Sequence, residues 1–206
     1  IIKRLFKSGK KYLDNVLNIN NYIVSHFKKC HKPTFTKNVD NYILTYNKIF
    51  KGSENNTFLI SEYMDYSFHD YFINYRNKRN KDYLYNFSKT LKNVYYIICR
   101  LIDGLHCLHK MGLIHGDLKF GNLMLKFEDD IPSVKIIDVD GIGITEGKLK
   151  RNIINYTYFA PGREKPSEIR ETDDVYVMGW LILQIFASYV NYDIASLRPS
   201  SDKKIN

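Results

Sequence analysis

Apolar residues recur along the chain with two spacings, one typical of strands and one typical of helices. Short apolar runs predict strands over 1–6, 42–50, 57–64 and 134–138. Helical spacing predicts helices over 11–27, 68–75, 97–110 and 175–190. Gly112 follows the third of these helices and is typical of the residue at which a helix stops. A strand-rich part therefore precedes a mainly helical part, and we divide one domain into residues 1–64 and 65–206.

The composition is that of one globular domain with a basic surface. The 206 residues are 44% hydrophobic and 15% aromatic, which suffices for a core. The net charge of +9 favours anionic partners such as nucleotides or phosphates. Because no module of interleaved basic and aromatic residues stands out, we expect no nucleic-acid partner. The apolar run 175–190 is shorter than the roughly 20 residues that cross a bilayer, so we expect no transmembrane segment.

The chain has three cysteines, Cys30, Cys99 and Cys107, and no CxxC pair. Their odd number argues against a disulfide framework or a structural zinc site. This usage favours a reducing, intracellular compartment. Cys99 and Cys107 fall within one helical pattern, so we expect both to be small residues of the core.

The segment Leu108–Leu125, LHKMGLIHGDLKFGNLML, places polar side chains that suit phosphoryl transfer between apolar residues. Such a transfer requires positioning and a divalent metal more than covalent help. Asp117 can orient an acceptor hydroxyl and take its proton. Lys119, on the same side of an extended loop, can stabilise the transferring group. Asn122 and Asp138 offer the oxygen ligands that Mg²⁺ prefers beside phosphates.

A polar turn would explain any one of these residues, but the order of several motifs resembles the protein kinase family. Residues 108–125 are similar to its catalytic loop, and VKIID (Val134–Asp138) is similar to the strand that ends in a metal-binding Asp. Further similar segments are IIKR (Ile1–Arg4, phosphate-binding Lys), TFLISEYM (Thr57–Met64, hinge), YFAPG (Tyr158–Gly162, end of the activation segment) and DVYVMG (Asp174–Gly179, central helix). The resemblance implies an α+β, protein kinase-like bilobal fold. The small lobe is reduced to three strands and one helix, and the mainly helical large lobe ends after its central helix.

The resemblance also implies an ATP site, with Mg²⁺ or Mn²⁺ as the cofactor. Lys3 would hold the α- and β-phosphates, and the backbone of Glu62 and Met64 would bind the adenine edge. Met124 would pack beneath the ring, and Ser61 falls at the gatekeeper position.

Two further residues have structural roles in this family pattern. Asp174 would bind the backbone of the catalytic loop, and His115 would anchor that loop. The implied activity is transfer from ATP to a protein partner. Lys119, in place of Arg, favours Ser or Thr hydroxyls over Tyr.

Five features depart from the family pattern. No glycine-rich phosphate loop precedes Lys3, and residues 10–29 contain no Glu to pair with it. The usual Asp-Phe-Gly is Asp138-Val139-Asp140, and Gly162 replaces a Glu. Gly116 stands where an Arg usually answers a phosphorylated activation segment, so we expect no such switch. Because the chain begins without Met and ends soon after the last helix, we expect it to be either a fragment or a protein that does without the phosphate loop.

Two alternatives to an active protein kinase stay open. A pseudokinase scaffold would fit the missing Glu and phosphate loop, although a scaffold has no need of Asp117, Lys119, Asn122 and Asp138 together. A kinase-like small-molecule phosphotransferase would also carry His-Gly-Asp, and Gly116 fits it. Lys119 and the motifs at 158–162 and 174–179 favour the protein kinase instead.

Overall fold

A computed structural model describes residues 2–5, 10–26, 42–51, 57–77, 87–128, 131–138, 143–144 and 170–189. Four helices lie within these ranges, at Lys10–His26 (α1), Phe68–Asn77 (α2), Phe87–Lys110 (α3) and Glu171–Tyr189 (α4). The strands are β1 (Ile2–Leu5), β2 (Tyr46–Lys51), β3 (Thr57–Ser61), β4 (Tyr66–Ser67), β5 (Leu113–Ile114), β6 (Leu123–Glu128), β7 (Ile131–Ile136) and β8 (Gly143–Ile144). A single turn of 3₁₀ helix, Phe120–Asn122, precedes β6.

The first half of the described chain is a three-stranded antiparallel sheet in the order β1-β3-β2, with α1 against it. Leu59 of β3 and Val16 of α1 are both buried and in contact. Burying apolar side chains of this kind is the main source of stability for a small sheet and its helix. The strand-rich first half predicted from the sequence is confirmed.

The second half contains the sheet β4-β6-β7 and three helices around a larger core. The burial of β6 alternates, with Leu123 and Leu125 fully buried and Met124 between them partly exposed. Leu101 and Leu108 of α3 lie in the same core, as does Leu181 of α4. The α+β, kinase-like architecture is therefore the one expected from the sequence pattern.

A short extended segment, Tyr42–Leu44, connects the two halves. The sequence predicts strand from Tyr42, but β2 begins at Tyr46. The Ile136 N–H donates to the Tyr42 carbonyl over 2.8 Å, and the Leu44 N–H donates to the Ile136 carbonyl over 2.9 Å. These residues are buried because they pair with the end of β7 before the chain turns into the first sheet.

Some expectations are corrected or lie outside the described ranges. Cys99 is a free, buried cysteine, whereas Cys107 is buried and disulfide-bonded, which the odd cysteine count did not predict. None of the helices in the described ranges is long and apolar enough to cross a membrane. The motif at 158–162, Asp140, Cys30 and the residues after 189 lie outside the described residues.

Candidate active site

The loop that carries Asp117 is held by one buried carboxylate from α4. Asp174 is 1% exposed, and its Oδ2 and Oδ1 accept the N–H groups of His115 and Gly116, each over 2.8 Å. Asp174 lies in the first turn of α4, where the helix dipole favours a negative charge. His109 Nε2, at the end of α3, is 3.1 Å from Asp174 Oδ2. The predicted role of Asp174 as the support of this loop is confirmed.

His115 is a fully buried anchor of the same loop. Its Nε2 lies 3.0 Å from the Ile137 carbonyl, and its Nδ1 lies 3.2 Å from the Asp117 N–H. A carbonyl can only accept and an N–H can only donate, so the proton of the neutral ring is on Nε2. The ring therefore joins the loop to the residue before Asp138, which is the structural role expected for it.

Gly116 takes a backbone conformation that suits glycine. Its φ is 69°, in the left-handed region that side chains with a Cβ rarely adopt. This conformation turns the Gly116 N–H toward Asp174. The glycine that departs from the family pattern thus allows the loop to reach this conformation without strain.

Two polar side chains converge on the carboxylate of Asp117, a residue that is 8% exposed. Lys119 Nζ lies 2.9 Å from Asp117 Oδ2. The Asn122 amide nitrogen donates to the Asp117 carbonyl over 2.8 Å and to Oδ2 over 3.2 Å. Lys119 keeps 41% of its side chain exposed, so its ammonium is accessible from solvent. The turn of 3₁₀ helix before β6, with the Asn122 N–H bonded to the Lys119 carbonyl over 2.9 Å, brings these residues together.

The second carboxylate oxygen of Asp117 is left available. Oδ1 is buried and has no hydrogen-bond partner among the residues that the structure describes. A buried carboxylate oxygen without a donor is costly and uncommon away from functional sites. Asp117 can therefore accept a hydroxyl proton at Oδ1 while Lys119 and Asn122 hold Oδ2.

Asn122 and Asp138 lie at the same end of the β6–β7 pair. The Ile137 N–H donates to the Asn122 carbonyl over 2.9 Å, which extends the ladder to the residue before Asp138. Asp138 has φ 63°, an uncommon value that is tolerated by Asp and typical of functional sites. The amide nitrogen of Asn122 is directed at Asp117. The amide oxygen of Asn122 is therefore the atom of this side chain that could bind a metal ion. One amide oxygen and one carboxylate suit Mg²⁺, which completes its shell with water and phosphate.

The expected hinge follows β3. Met64 is 3% exposed and Ser61 is 7% exposed, so both lie in the interior. Glu62 is half-buried, and its carboxylate lies 2.8 Å from Nζ of Lys135, a buried lysine in β7. Sequence reasoning missed Lys135. The signal was a single cation within the apolar run VKII, which is uncommon in a buried strand.

The structure describes the backbone position of Lys3 and the helix that would support it. Lys3 is opposite Leu59 in the β1–β3 register. The acid in α1 is Asp14, which is exposed. Asn20 is buried, and it makes two hydrogen bonds with the backbone of Tyr46, of 2.8 and 3.2 Å. The structure therefore brings together Asp117, Lys119 and Asn122, and it places no acid on the buried face of α1.

Comparison with known proteins identifies the family. A family profile described as protein kinase domain matches residues 29–202. The chain is 31% identical over 114 residues to cysteine-rich receptor-like protein kinase 19 of Arabidopsis thaliana, covering 52% of this chain and 17% of that protein. It is 38% identical over 64 residues to calcium-dependent protein kinase 12 of rice (Oryza sativa subsp. japonica), covering 30% and 12%. It is 30% identical over 92 residues to probable serine/threonine-protein kinase 2 of Plasmodium falciparum, covering 44% and 18%.

The matched segments span less than a fifth of the length of these curated relatives. The family match, by contrast, spans most of this chain and includes each of the site residues from Glu62 to Asp174. The chain belongs to the protein kinase family.

Proposed function

We propose that the protein containing this chain transfers the γ-phosphoryl group of ATP to Ser or Thr hydroxyls of a protein substrate. The observation that carries the proposal is the Asp117 carboxylate, held at Oδ2 by Lys119 and Asn122 with Oδ1 buried and left without a partner among the described residues. Such an oxygen suits a hydroxyl group that must be oriented and deprotonated.

The proposed reaction is an in-line displacement. The acceptor hydroxyl oxygen forms a bond to the γ-phosphorus, and the bond between that phosphorus and the β–γ bridging oxygen breaks. ADP leaves with the electron pair of the broken bond, and the hydroxyl proton passes to Oδ1 of Asp117. The Lys119 ammonium, which is partly exposed beside the carboxylate, stabilises the charge on the moving phosphoryl group.

Asn122 and Asp138 would hold Mg²⁺ or Mn²⁺. When bound, such an ion neutralises charge on the phosphates of ATP. The chain contributes the fixed ends of two paired strands, which keep the amide oxygen and the carboxylate in place.

The nucleotide would lie between the first sheet and β6. The backbone of Glu62 and Met64 would bind the adenine edge, Met124 would pack against the base, and Lys3 would hold the α- and β-phosphates. On this proposal residues 1–64 form the small lobe and residues 65–206 belong to the large lobe. The preference for Ser or Thr rests on Lys119 and on the name of one relative.

An Asp117→Asn variant of the whole protein tests the proposal. We expect the turnover number with a Ser/Thr peptide library to fall at least about 100-fold, because the general base is lost. The dissociation constant of Mg²⁺-ATP should change little. Asp14→Asn is a matched control, since Asp14 is exposed on α1. Equal turnover in wild type and Asp117→Asn would show that Asp117 is not the base.

A pseudokinase scaffold is the second candidate, and one observation favours it. The described α1 carries no acid on its buried face, and Asn20 is bonded to the backbone of Tyr46. A scaffold would bind its partner without transferring phosphate. Intact protein that binds no Mg²⁺-ATP in a calorimetric titration would support this candidate. Transfer to small alcohols but not to proteins would instead support a small-molecule phosphotransferase.

A further inference from the structure

We propose that Lys135 is a positioning residue that sets the hinge for the purine base, acting through the side chain of Glu62. Lys135 Nζ lies 2.8 Å from Glu62 Oε2. Glu62 is in the hinge, and Lys135 is in β7 of the other half of the domain. This inference rests on the proposed function, because it concerns the same nucleotide site.

The register of the second sheet places Lys135 on the face that would meet the nucleotide. Lys135 is directly opposite Met124, and Met124 is directly opposite Ser67. Residues that are directly opposite project from the same face of a sheet. Leu123 and Ile136, the next opposed pair, are buried in the core on the other face. Lys135 is therefore in line with Met124, which we propose to underlie the base.

The burial of Lys135 is unusual for its residue type. Its side chain is 9% exposed, whereas a lysine usually extends its ammonium into water. Removing an ammonium from water is costly unless a carboxylate and good geometry compensate. The compensating carboxylate belongs to Glu62, whose side chain is 38% exposed. The pair thus joins a well-buried cation of β7 to a residue of the hinge.

Lys126 is a nearby cation that differs from Lys135 in its contacts. Its Nζ is 3.6 Å from Glu62 Oε1 but 2.7 Å from Glu128 Oε1. Its side chain is 28% exposed, about three times as much as that of Lys135. Lys126 is therefore directed mainly at Glu128, and it serves as a matched control for the loss of one positive charge near Glu62.

The ion pair acts on the hinge because a side chain held at its carboxylate restrains its own backbone. The peptide groups of Glu62 and Met64 are the ones that would face the adenine edge. Without the ammonium of Lys135, Glu62 loses its shortest ion pair, and the hinge backbone is less restrained against turning away from the base. Binding of the base then weakens, while transfer from bound ATP is unchanged because Asp117 and Lys119 are untouched.

The experiment is a double-mutant cycle with Lys135→Met and Glu62→Gln in the whole protein. Met retains the length and the apolar stem of Lys, and Gln retains the shape of Glu. We expect each single variant, and also the double variant, to raise the dissociation constant of Mg²⁺-ATP by about five-fold, since the two residues act as one unit. Adenosine should lose affinity by the same factor, and the turnover number of Lys135→Met should stay within about two-fold of wild type. Lys126→Met should bind Mg²⁺-ATP as wild type does.

Several results would overturn the inference. Unchanged nucleotide affinity in Lys135→Met would overturn it. If the melting temperature of this variant falls while its affinity for nucleotide is unchanged, the ion pair is merely structural, and the inference is likewise overturned. A double variant weakened by the product of the two single effects would show that the residues act separately. Wild-type protein that binds no Mg²⁺-ATP would contradict the proposed function itself. Normal wild-type binding with unaffected variants would contradict this inference alone.

Discussion

The hydroxyl of Tyr22 donates a hydrogen bond to the carbonyl of Met111 over 3.0 Å. Tyr22 lies near the end of α1, and Met111 lies just after α3, in the segment that leads to Asp117. The Tyr22 ring also stacks on His26, with 4.0 Å between ring centroids. The helix against the first sheet is thus hydrogen-bonded directly to the chain that leads into the loop of Asp117.

Removal of the Tyr22 hydroxyl should abolish its hydrogen bond to Met111 without disturbing the stacking of the ring on His26. We expect Tyr22→Phe to lower the free energy of unfolding by about 1 kcal/mol, the usual net contribution of one hydrogen bond. Urea unfolding of the purified protein measures the difference. Tyr63→Phe is the control, because Tyr63 is 66% exposed, and it should unfold as wild type does. Equal stability of the two variants would show that the Tyr22–Met111 contact contributes nothing.

The left-handed backbone at Gly116 predicts a difference between two neighbouring glycines. Gly116→Ala should lower the free energy of unfolding by about 1 kcal/mol, because its φ of 69° disfavours a Cβ. A Cβ at Gly121 would meet Lys119 Cε at 4.0 Å, which is ordinary contact. Gly121→Ala should therefore change stability by less than about 0.5 kcal/mol. Thermal unfolding of both variants decides the matter, and a Gly116→Ala protein as stable as wild type would refute the prediction.

Alanine substitutions at two glycines inside helices should change the free energy of unfolding in opposite directions. A Cβ at Gly104 of α3 would lie 3.1 Å from Tyr42 Cβ and 3.2 Å from Ile136 Cδ1. Tyr42 and Ile136 are joined through their backbones and cannot easily withdraw, so Gly104→Ala should destabilise by about 1 kcal/mol or more. At Gly179 of α4 no atom of the described residues lies within 4 Å of an added Cβ, and Ala should stabilise the helix by about 0.5–1 kcal/mol.

Calorimetric melting temperatures of the two alanine variants provide the comparison. A rise for Gly179→Ala and a fall for Gly104→Ala is the expected pattern. A rise for both would mean that α3 can move away from Tyr42, contrary to the packing described above.

The start of α2 predicts a pH effect. The hydrogen bond from the Ser67 hydroxyl to Asp70, 2.7 Å long, is the main cause that lowers the pKa of Asp70 below its usual 3.8, and nearby His69 adds to it. Because the folded-state pKa is lowered, the associated stabilisation is present above the unfolded value and is lost as the pH falls through the folded value. Ser67→Ala should raise the pKa of Asp70. An NMR titration of its carboxyl carbon measures this, with His69→Ala expected to give a smaller rise; an unmoved pKa in Ser67→Ala would exclude the effect.

The long elements could be predicted from the sequence because their apolar spacing is regular. Helix α3 ends at Lys110 with Gly112 after it at φ 72°, as the stop signal predicts. The apolar spacing predicts the buried face of α1 less well. Val24, which fits the apolar spacing of this helix, is 57% exposed, whereas Ile19 and Ile23 are buried. Several faces of this helix carry apolar residues, so contact with both halves of the domain, rather than spacing, decides which of them is buried.

The site could be predicted where its residues are close in sequence. Asp117, Lys119 and Asn122 lie within one loop, and the same short segment brings them into contact. The contribution of Lys135 could not be predicted, because it depends on a contact with Glu62, which lies 73 positions earlier in the chain. The apolar run around Lys135 marks it as an unusual cation, but nothing local in the sequence identifies the partner of a long-range ion pair.

Ile136 uses both of its backbone polar groups to bind Tyr42 and Leu44, and Asp138 follows it two residues later. The carboxylate proposed to bind metal therefore lies two residues from the point where β7 is bonded to the chain that enters the first sheet. We expect a displacement of Asp138 on ligand binding to reach Tyr42 and Leu44 through this short stretch of backbone. On the proposed function, metal binding at Asp138 and the position of the first sheet would then be coupled.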